Sequence, residues 1–198
     1  MPTLPLRTAT LAMFAVCGIT LPVPAGKAQT LDEFNAVVDK LSAKSPAGGP
    51  KGNPKAAVFV FIRTSKKLCW VADGKVVSAD IVPPRETNDT KEGGPTPVGE
   101  YLIGTRYTHD KHKIDWYKLY LRIEDDSGYY GYTAKTKTGR FAMGLHPGSV
   151  SLGCVTVKSA DNPYDKSEIW RAVRNKLDSS KLTYKNDDFS GLLYVVDK

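Results

Sequence analysis

Hydrophobic positions recur with a helical period in two stretches of this chain and with the shorter period of strands in most of the remainder. The first helical stretch follows Thr30 and Glu33, which form a capping box that can satisfy free backbone N–H groups. The apolar residues on one face of this stretch are Leu31, Phe34, Val37, Val38 and Leu41. We therefore predict a short amphipathic helix within residues 29–44.

Residues 45–55 are rich in proline and glycine and predict a flexible linker, because such a sequence neither continues a helix nor pairs in a sheet. Beyond it, short apolar runs alternate with turn residues, and Asp73 with Gly74 predicts a tight hairpin. The second helical face consists of Ile169, Trp170, Val173 and Leu177. Many short strands joined by tight turns predict a mainly β domain over residues 56–198, a sandwich or partly closed barrel with one or two short helices.

Residues 1–28 have the features of a secretory signal peptide. Arg7 provides a positive charge, an apolar run covers residues 11–21, and residues 26–28 form a small-x-small cleavage site. The apolar run is too short for a comfortable membrane span. We expect export to the periplasm or to the outside of the cell, a mature chain that begins near Gln29, and no integral membrane segment.

The chain carries 28 basic and 21 acidic residues, and loss of Arg7 and Lys27 with the signal peptide leaves a net charge of +5. A modest positive charge suits an anionic wall or membrane surface. The basic residues are scattered among acidic ones, so we expect no nucleic-acid partner, and we expect a monomer. The mature chain keeps two cysteines. Cys69 lies in an apolar strand and is expected to be an inert free thiol, a disulfide with Cys154 being the alternative.

The most informative segment is residues 141–157, in which one strand ends in His146 and another opens with Cys154 after a Pro, Gly and Ser turn. This order can bring an imidazole next to a thiol. The imidazole would take the thiol proton and keep the sulfur anionic near neutral pH, although a free cysteine titrates at roughly 8.5. Alkylation of Cys154 is then expected well below the pH that a free thiol needs. Gly153 allows a sharp turn and lets a substrate carbonyl approach the local N–H groups. In the alternative interpretation, Cys154 is a buried thiol or half of a disulfide, and His146 ends its strand by chance.

A second motif, residues 93–101, combines glycines and prolines into a rigid loop that enters a strand. The run Thr96–Tyr101, followed further along by His146 and then by Ser151–Cys154, resembles the catalytic domain of the L,D-transpeptidases, the cysteine enzymes of bacterial peptidoglycan. The resemblance covers approximately residues 56–197.

This resemblance implies an exported cysteine acyltransferase that acts on peptidoglycan stem peptides without a cofactor. By this likeness, the Cys154 thiolate attacks the carbonyl of the diaminopimelate residue at the third stem position and expels the terminal D-alanine, with His146 as the base. The thioester is resolved by an amine of a second stem, a free D-amino acid or water. These routes give cross-linking, exchange or carboxypeptidase trimming. A carbapenem is also expected to acylate Cys154.

The other candidate residues have supporting roles. The second histidine of the family is replaced here by Leu152, so any oxyanion-stabilising or orienting role is expected to fall to Gly153 and Ser151. Arg140 is expected to hold a stem-peptide carboxylate by bidentate pairing, a role for which Arg85 is the alternative. The residues expected to bind substrate are Thr96, Pro97, Tyr101 and Arg140.

The sequence also departs from the family pattern. The interval between His146 and Cys154 is shorter than in most members, and Thr156 stands where Arg or Asn is common. These changes resemble a divergent branch that includes wall-attacking effectors delivered between bacteria. The alternatives are therefore a peptidoglycan-targeting toxin with the same chemistry and a catalytically inactive wall-binding module. A general Cys/His peptidase is disfavoured by the Thr96–Tyr101 loop.

The three histidines could be assigned to a zinc site with Cys154. His109 and His112 lie in a charged loop without a paired cysteine motif, so we expect no metal. Trp116 and the tyrosines near it could stack on glycans, but aromatic residues are common in strands and are expected to serve packing.

Overall fold

A computed structural model describes residues 30–43, 45–124, 130–134, 139–140, 142–161 and 163–197. The predicted signal peptide lies outside the described residues. The helices are α1 (Leu31–Ser42), α2 (Gly49–Gly52) and α3 (Glu168–Asp178), with a 3-10 turn at Tyr164–Lys166. The strands are β1 (Ala57–Ile62), β2 (Lys67–Ala72), β3 (Lys75–Asp80), β4 (Gly99–Thr108), β5 (Asp115–Glu124), β6 (Tyr130–Thr133), β7 (Gly144–Gly148), β8 (Val155–Lys158), β9 (Leu182–Tyr184), β10 (Asp187–Phe189) and β11 (Gly191–Val196).

The main sheet has the strand order β3-β2-β1-β11-β4-β5-β7-β8, and β6 pairs with β5. Strands β1 and β11 run parallel, as do β7 and β8, and the other pairs of this sheet are antiparallel. The two edges of this sheet approach each other. Ile81, just after β3, pairs with Val157 of β8, and the Val82 N–H donates to the Thr156 carbonyl at 2.8 Å. The sheet is therefore a nearly closed barrel, which confirms the prediction of a mainly β, partly closed fold.

The two short elements with the clearest sequence signals form as predicted. Thr30 and Glu33 make the capping box of α1, with the Glu33 N–H donating to the Thr30 hydroxyl at 3.2 Å. Asp73 and Gly74 both have positive φ, which suits a type I′ hairpin turn between β2 and β3. None of the helices in the described residues is both long and apolar enough to cross a membrane.

Two apolar clusters hold the domain together. In one, α3 packs against the sheet through Trp170, Val173 and Leu177, all fully buried. In the other, α1 contributes Phe34 and Val38, and this cluster also contains residues of the sheet. The N-terminal helix is thus docked on the domain and covers apolar surface that would otherwise meet water.

The segment predicted as a linker, residues 45–55, is more ordered than its composition suggests. It contains the single helical turn α2, although its composition predicts a linker that does not continue a helix. Gly48 and Gly49 adopt positive φ at low cost, and a proline fits the first turn of a helix, where its missing N–H needs no partner. The Ser45 hydroxyl donates to the Glu100 carboxylate at 2.5 Å, so the segment is also tied to β4.

Candidate active site

The pairing of β7 with β8 determines which residues meet at the site. The parallel register sets Leu145 beside Val155 and His146 beside Thr156. Leu145 and Val155 belong to the buried core cluster. Because successive strand residues point to opposite faces, His146 and Thr156 lie on the other face. Cys154 directly precedes β8, and its thiol meets the backbone N–H of Gly144 at the start of β7.

The hydrogen bonds of His146 define its tautomer. Nδ1 lies 2.9 Å from the Pro147 carbonyl oxygen, which can only accept, so Nδ1 carries the proton. Nε2 is then the unprotonated nitrogen, and it lies 3.3 Å from the Thr156 hydroxyl, which donates to it. The nitrogen that a base needs is therefore held in a defined direction by two contacts on opposite sides of the ring.

A stack of aromatic rings, here called the imidazole stack, covers His146. The Trp116 ring lies parallel to the His146 ring, with centroids 4.0 Å apart and an interplanar angle of 10°. His109 lies 4.5 Å from Trp116, and His112 lies 4.9 Å from His109. The stack thus joins all three histidines of the chain through one tryptophan. Sequence reasoning separated His109 and His112 from the site because it did not register the β4–β5 hairpin, which pairs Tyr107 with Trp116.

Burial governs the charge state of the base. It lowers the pKa of His146 to about 4, against the opposing hydrogen bond to Pro147, and the nearby His112 and His109 lower it further. The imidazole is consequently neutral at physiological pH. Among the described residues, no group of three or more His, Cys, Asp or Glu side chains is arranged to hold a metal ion.

Cys154 is half-buried, and its sulfur makes a long contact, 3.9 Å, to the Ala142 carbonyl oxygen. Burial raises the pKa of the Cys154 thiol to about 11, although the Gly144 backbone N–H and the charge of Arg140 both lower it. The thiolate–imidazolium pair expected from the sequence is therefore not the resting state. The physical reason is that burial disfavours both charged forms, and no carboxylate in the described part of the chain acts on the pKa of His146.

The turn that presents the thiol, Ser151–Cys154, is here called the nucleophile turn. The buried Ser151 hydroxyl donates to the Cys154 carbonyl at 2.8 Å and accepts the Gly153 N–H at 3.3 Å. Gly153 has a φ of +101°, a conformation that a side chain would strain. Ser151 and Gly153 thus hold the shape of the turn, which fits the orienting part of their expected role. Their polar groups are used within the turn, so an oxyanion would require another donor.

Arg140 lies against the nucleophile turn and contacts backbone oxygens instead of facing a substrate. Its guanidinium donates to the carbonyls of Asp89, Gly94, Pro95 and Gly153 at 2.5 to 3.3 Å. A Cβ at Gly153 would overlap this guanidinium, so the glycine makes room for it. These contacts join backbone carbonyls around the nucleophile turn, whereas the sequence predicted bidentate binding of a substrate carboxylate by Arg140.

The loop motif supports the same turn. The Thr96 hydroxyl donates to the Gly153 carbonyl at 3.0 Å, and the Tyr101 hydroxyl donates to the Pro97 carbonyl at 2.7 Å. Thr96 and Tyr101 are almost fully buried, and Pro97 is half-buried. These three residues thus form a scaffold beneath the nucleophile turn, and their contact with a substrate stays a prediction. Arg63 extends the scaffold by pairing with Asp89 at 3.0 Å.

Several apolar side chains of this region are exposed, and of these the sequence singled out Leu152 alone. Tyr107 is half exposed. Partial burial raises the pKa of its phenol, and the nearby Cys154 sulfur raises it further. Three further apolar residues are exposed on the loop motif and the approach to the thiol, Val98, Val150 and Leu152.

Comparisons with known proteins were made at three levels. A scan against protein-family models and a search of curated proteins find no match. The solved structures that are similar include L,D-transpeptidases from several species. An L,D-transpeptidase from Xylanimonas cellulosilytica is 16% identical, with 72% of this chain and 61% of that chain covered and a TM-score of 0.36.

Two further structures have similar values. Bd1075 from Bdellovibrio bacteriovorus is 18% identical, with 72% of this chain and 48% of that chain covered and a TM-score of 0.41. The catalytic domain of an E. faecium L,D-transpeptidase is 14% identical, with coverages of 72% and 98% and a TM-score of 0.35. This chain thus spans less than two thirds of the length of the first two.

Proposed function

We propose that this protein is an exported cysteine acyltransferase that acts on peptidoglycan stem peptides, with Cys154 as nucleophile and His146 as base. The observation that carries the proposal is the parallel pairing of β7 with β8, because the oriented imidazole of His146 lies in β7 and the half-buried thiol of Cys154 directly precedes β8. The substrate class comes from the motif resemblance, in which the Thr96–Tyr101 loop and the nucleophile turn occur together. In this structure the two motifs are also joined by hydrogen bonds.

Since burial favours the neutral form of both groups, His146 works as a general base during attack. The Cys154 sulfur bonds to the stem-peptide carbonyl carbon while its proton passes to Nε2 of His146. The tetrahedral intermediate then breaks its C–N bond, and the imidazolium returns the proton to the departing D-alanine amine. An amine or a water molecule attacks the resulting thioester, gives its proton to His146, and restores the thiol.

The Thr156 hydroxyl suits this proton cycle. It donates to neutral Nε2 in the resting state, and a hydroxyl can also accept from Nε2–H once the proton has moved. The ring can therefore keep one orientation in both charge states. An asparagine or arginine, which is common at this position in the family, would put a different hydrogen-bonding group beside the imidazole.

Export, periplasmic or secreted localisation and action on the cell's own wall or a competitor's wall remain part of the proposal. They rest on residues 1–28 and on the short interval between His146 and Cys154. One observation favours a second candidate, an inactive wall-binding module: the raised pKa of the thiol would suit a residue that performs no chemistry.

Incubation of the purified mature protein with tetrapeptide muropeptides, followed by mass analysis, separates these functions. The enzyme releases D-alanine and yields a tripeptide, an exchanged tetrapeptide or a cross-linked dimer. Cys154→Ala should abolish every product while the protein stays folded. Cys69→Ala is the matched control: it should retain turnover and lose roughly 1 kcal/mol of stability, because Cys69 is buried in the α1 cluster.

Unchanged muropeptides in the presence of a folded protein would contradict the enzyme and favour the binding module. Co-sedimentation of the same preparation with purified sacculi then tests wall binding directly. Retained turnover in Cys154→Ala would remove Cys154 as the nucleophile.

A further inference from the structure

Trp116 contacts both halves of the candidate site. Its ring stacks face to face on His146, as described above, and it is almost fully buried. Its indole also lies over the backbone of Gly144, where a Cβ would overlap the ring. The Gly144 N–H is in turn the backbone group that lowers the pKa of the Cys154 thiol. One side chain from β5 therefore packs on the base and on the backbone that meets the nucleophile.

Strand pairing determines that Trp116, and not another residue of β5, packs on His146. Strand β5 pairs with β7 through Tyr117 opposite Leu145 and Lys118 opposite Gly144. Trp116 is consequently the β5 residue opposite His146, with its side chain on the same face. A residue with a side chain at position 144 would exclude the indole from this place, so the glycine and the tryptophan form one packing unit.

We propose that Trp116 is a positioning residue that fixes the imidazole plane of His146, and through Gly144 the backbone beside Cys154, for the acyl transfer. The expected effect on the rate rests on the proposed function. The fixed orientation of the imidazole rests on packing alone. A parallel ring at 4.0 Å opposes rotation of the imidazole about its own bond to Cβ, so the Nε2 lone pair keeps its direction. Misplacement of a catalytic group by about 1 Å can cost on the order of a hundredfold in rate.

Other ionisable groups influence the pKa values of His146 and Cys154. The titratable groups that act on the pKa of His146 are His112 and His109 from the β4–β5 hairpin, and Arg140 acts on the pKa of Cys154. Trp116 stands between His146 and His109. Removal of the indole should admit water and bring the pKa of His146 toward its ordinary value of roughly 6.5.

The test compares Trp116→Leu, which keeps an apolar side chain without a ring, with Trp116→Phe, which keeps a ring in the stack. Trp116→Leu should lower kcat for D-alanine release about a hundredfold with KM changed less than about threefold. Trp116→Phe should restore most of the rate. In parallel, NMR titration of the imidazoles, assigned with His146→Gln, should show the pKa of His146 raised in Trp116→Leu and nearly unchanged in Trp116→Phe.

The NMR arm needs no substrate, so it tests the positioning role even if the wild type performs no peptidoglycan chemistry. Should Trp116→Leu fail to fold, the wild type supplies the decisive signal: the ring protons of His146 should be shifted upfield by the indole face. An ordinary chemical shift for these protons would overturn the inference. Equal loss of kcat in both variants with an unchanged His146 titration would overturn it as well.

Discussion

The nucleophile turn and the imidazole stack lie on neighbouring strands, yet they are stabilised by different interactions. The turn is held by directed hydrogen bonds: Ser151 bridges it internally, and Arg140 and Thr96 donate to the Gly153 carbonyl. The stack is held by ring packing and burial, with two hydrogen bonds to the His146 ring itself. Hydrogen bonds fix where the sulfur lies, whereas packing fixes the plane and the charge state of the base.

This difference explains the neutral pair. A polar network could have supplied a charged partner for His146, but its surroundings are an indole, two further imidazoles, a hydroxyl and a carbonyl. Arg140 is the charged group that acts on the thiol, and burial outweighs it. Burial therefore favours the uncharged forms of both groups in the free protein.

Arg140→Lys should have the largest effect on the nucleophile side. A lysine ammonium has three donors on one atom and cannot replace a planar guanidinium that reaches four carbonyl oxygens. We expect kcat to fall at least about a hundredfold with little change in KM, because the turn is displaced while the substrate surface is kept. Steady-state kinetics of D-alanine release measures both constants.

Arg85→Lys is the matched control, since Arg85 is exposed and should tolerate the change. If Arg140 binds a substrate carboxylate as the sequence suggested, KM should rise instead while kcat is kept. That outcome would remove the positioning role of Arg140.

On the base side, the low pKa of His146 should make stability depend on pH. The folded pKa of about 4 lies below the unfolded value of roughly 6.5, so the unfolded chain binds the proton first as the pH falls. The contribution of His146 to the free energy of unfolding is therefore largest above the unfolded pKa. It declines as the pH falls toward the folded pKa and stays constant below that value. The loss should amount to about 3 kcal/mol at most.

Chemical denaturation of the wild type and of His146→Gln between pH 8 and pH 4 checks this prediction. Other acidic groups affect both proteins alike, so the difference between the two curves isolates the histidine. Parallel curves would mean that His146 is accessible to protons in the folded protein.

Thr156→Val should have the smallest effect. It removes the hydroxyl that donates to Nε2 and keeps the shape of the side chain, and one such hydrogen bond contributes roughly 1 kcal/mol. We expect kcat to fall about three- to tenfold, since the imidazole stack still holds the ring. A loss as large as that of Arg140→Lys would show that the hydroxyl, and not the stack, orients the base.

The comparison also shows what the sequence could predict. Local patterns sufficed for the capping box at Thr30 and Glu33, the hairpin at Asp73 and Gly74, and the mainly β class, because each depends on neighbouring residues. The loop motif indicated residues near the nucleophile turn, but it did not indicate the hydrogen bonds that they make within the protein. Thr96 and Tyr101 face the scaffold, a distinction that depends on burial by distant strands.

The imidazole stack could not be predicted in this way. It requires Trp116 to be opposite His146, which follows from the pairing of β5 with β7 across a long sequence separation. The expected ion pair is disfavoured for a related reason, since the burial that opposes both charged forms is a property of the assembled barrel. Residue types identified the candidate nucleophile and base, and tertiary packing determines their charges.

The pH-dependence of iodoacetamide labelling at Cys154 tests the central claim, that thiol and imidazole are both neutral until the substrate is attacked. In the free wild-type protein, the labelling rate should rise only well above the roughly 8.5 of an ordinary thiol, toward the thiol pKa of about 11. His146→Gln should give nearly the same curve while losing muropeptide turnover. A wild-type rate that has already reached its plateau near pH 7, and that shifts to higher pH in His146→Gln, would contradict the account and establish the ion pair instead.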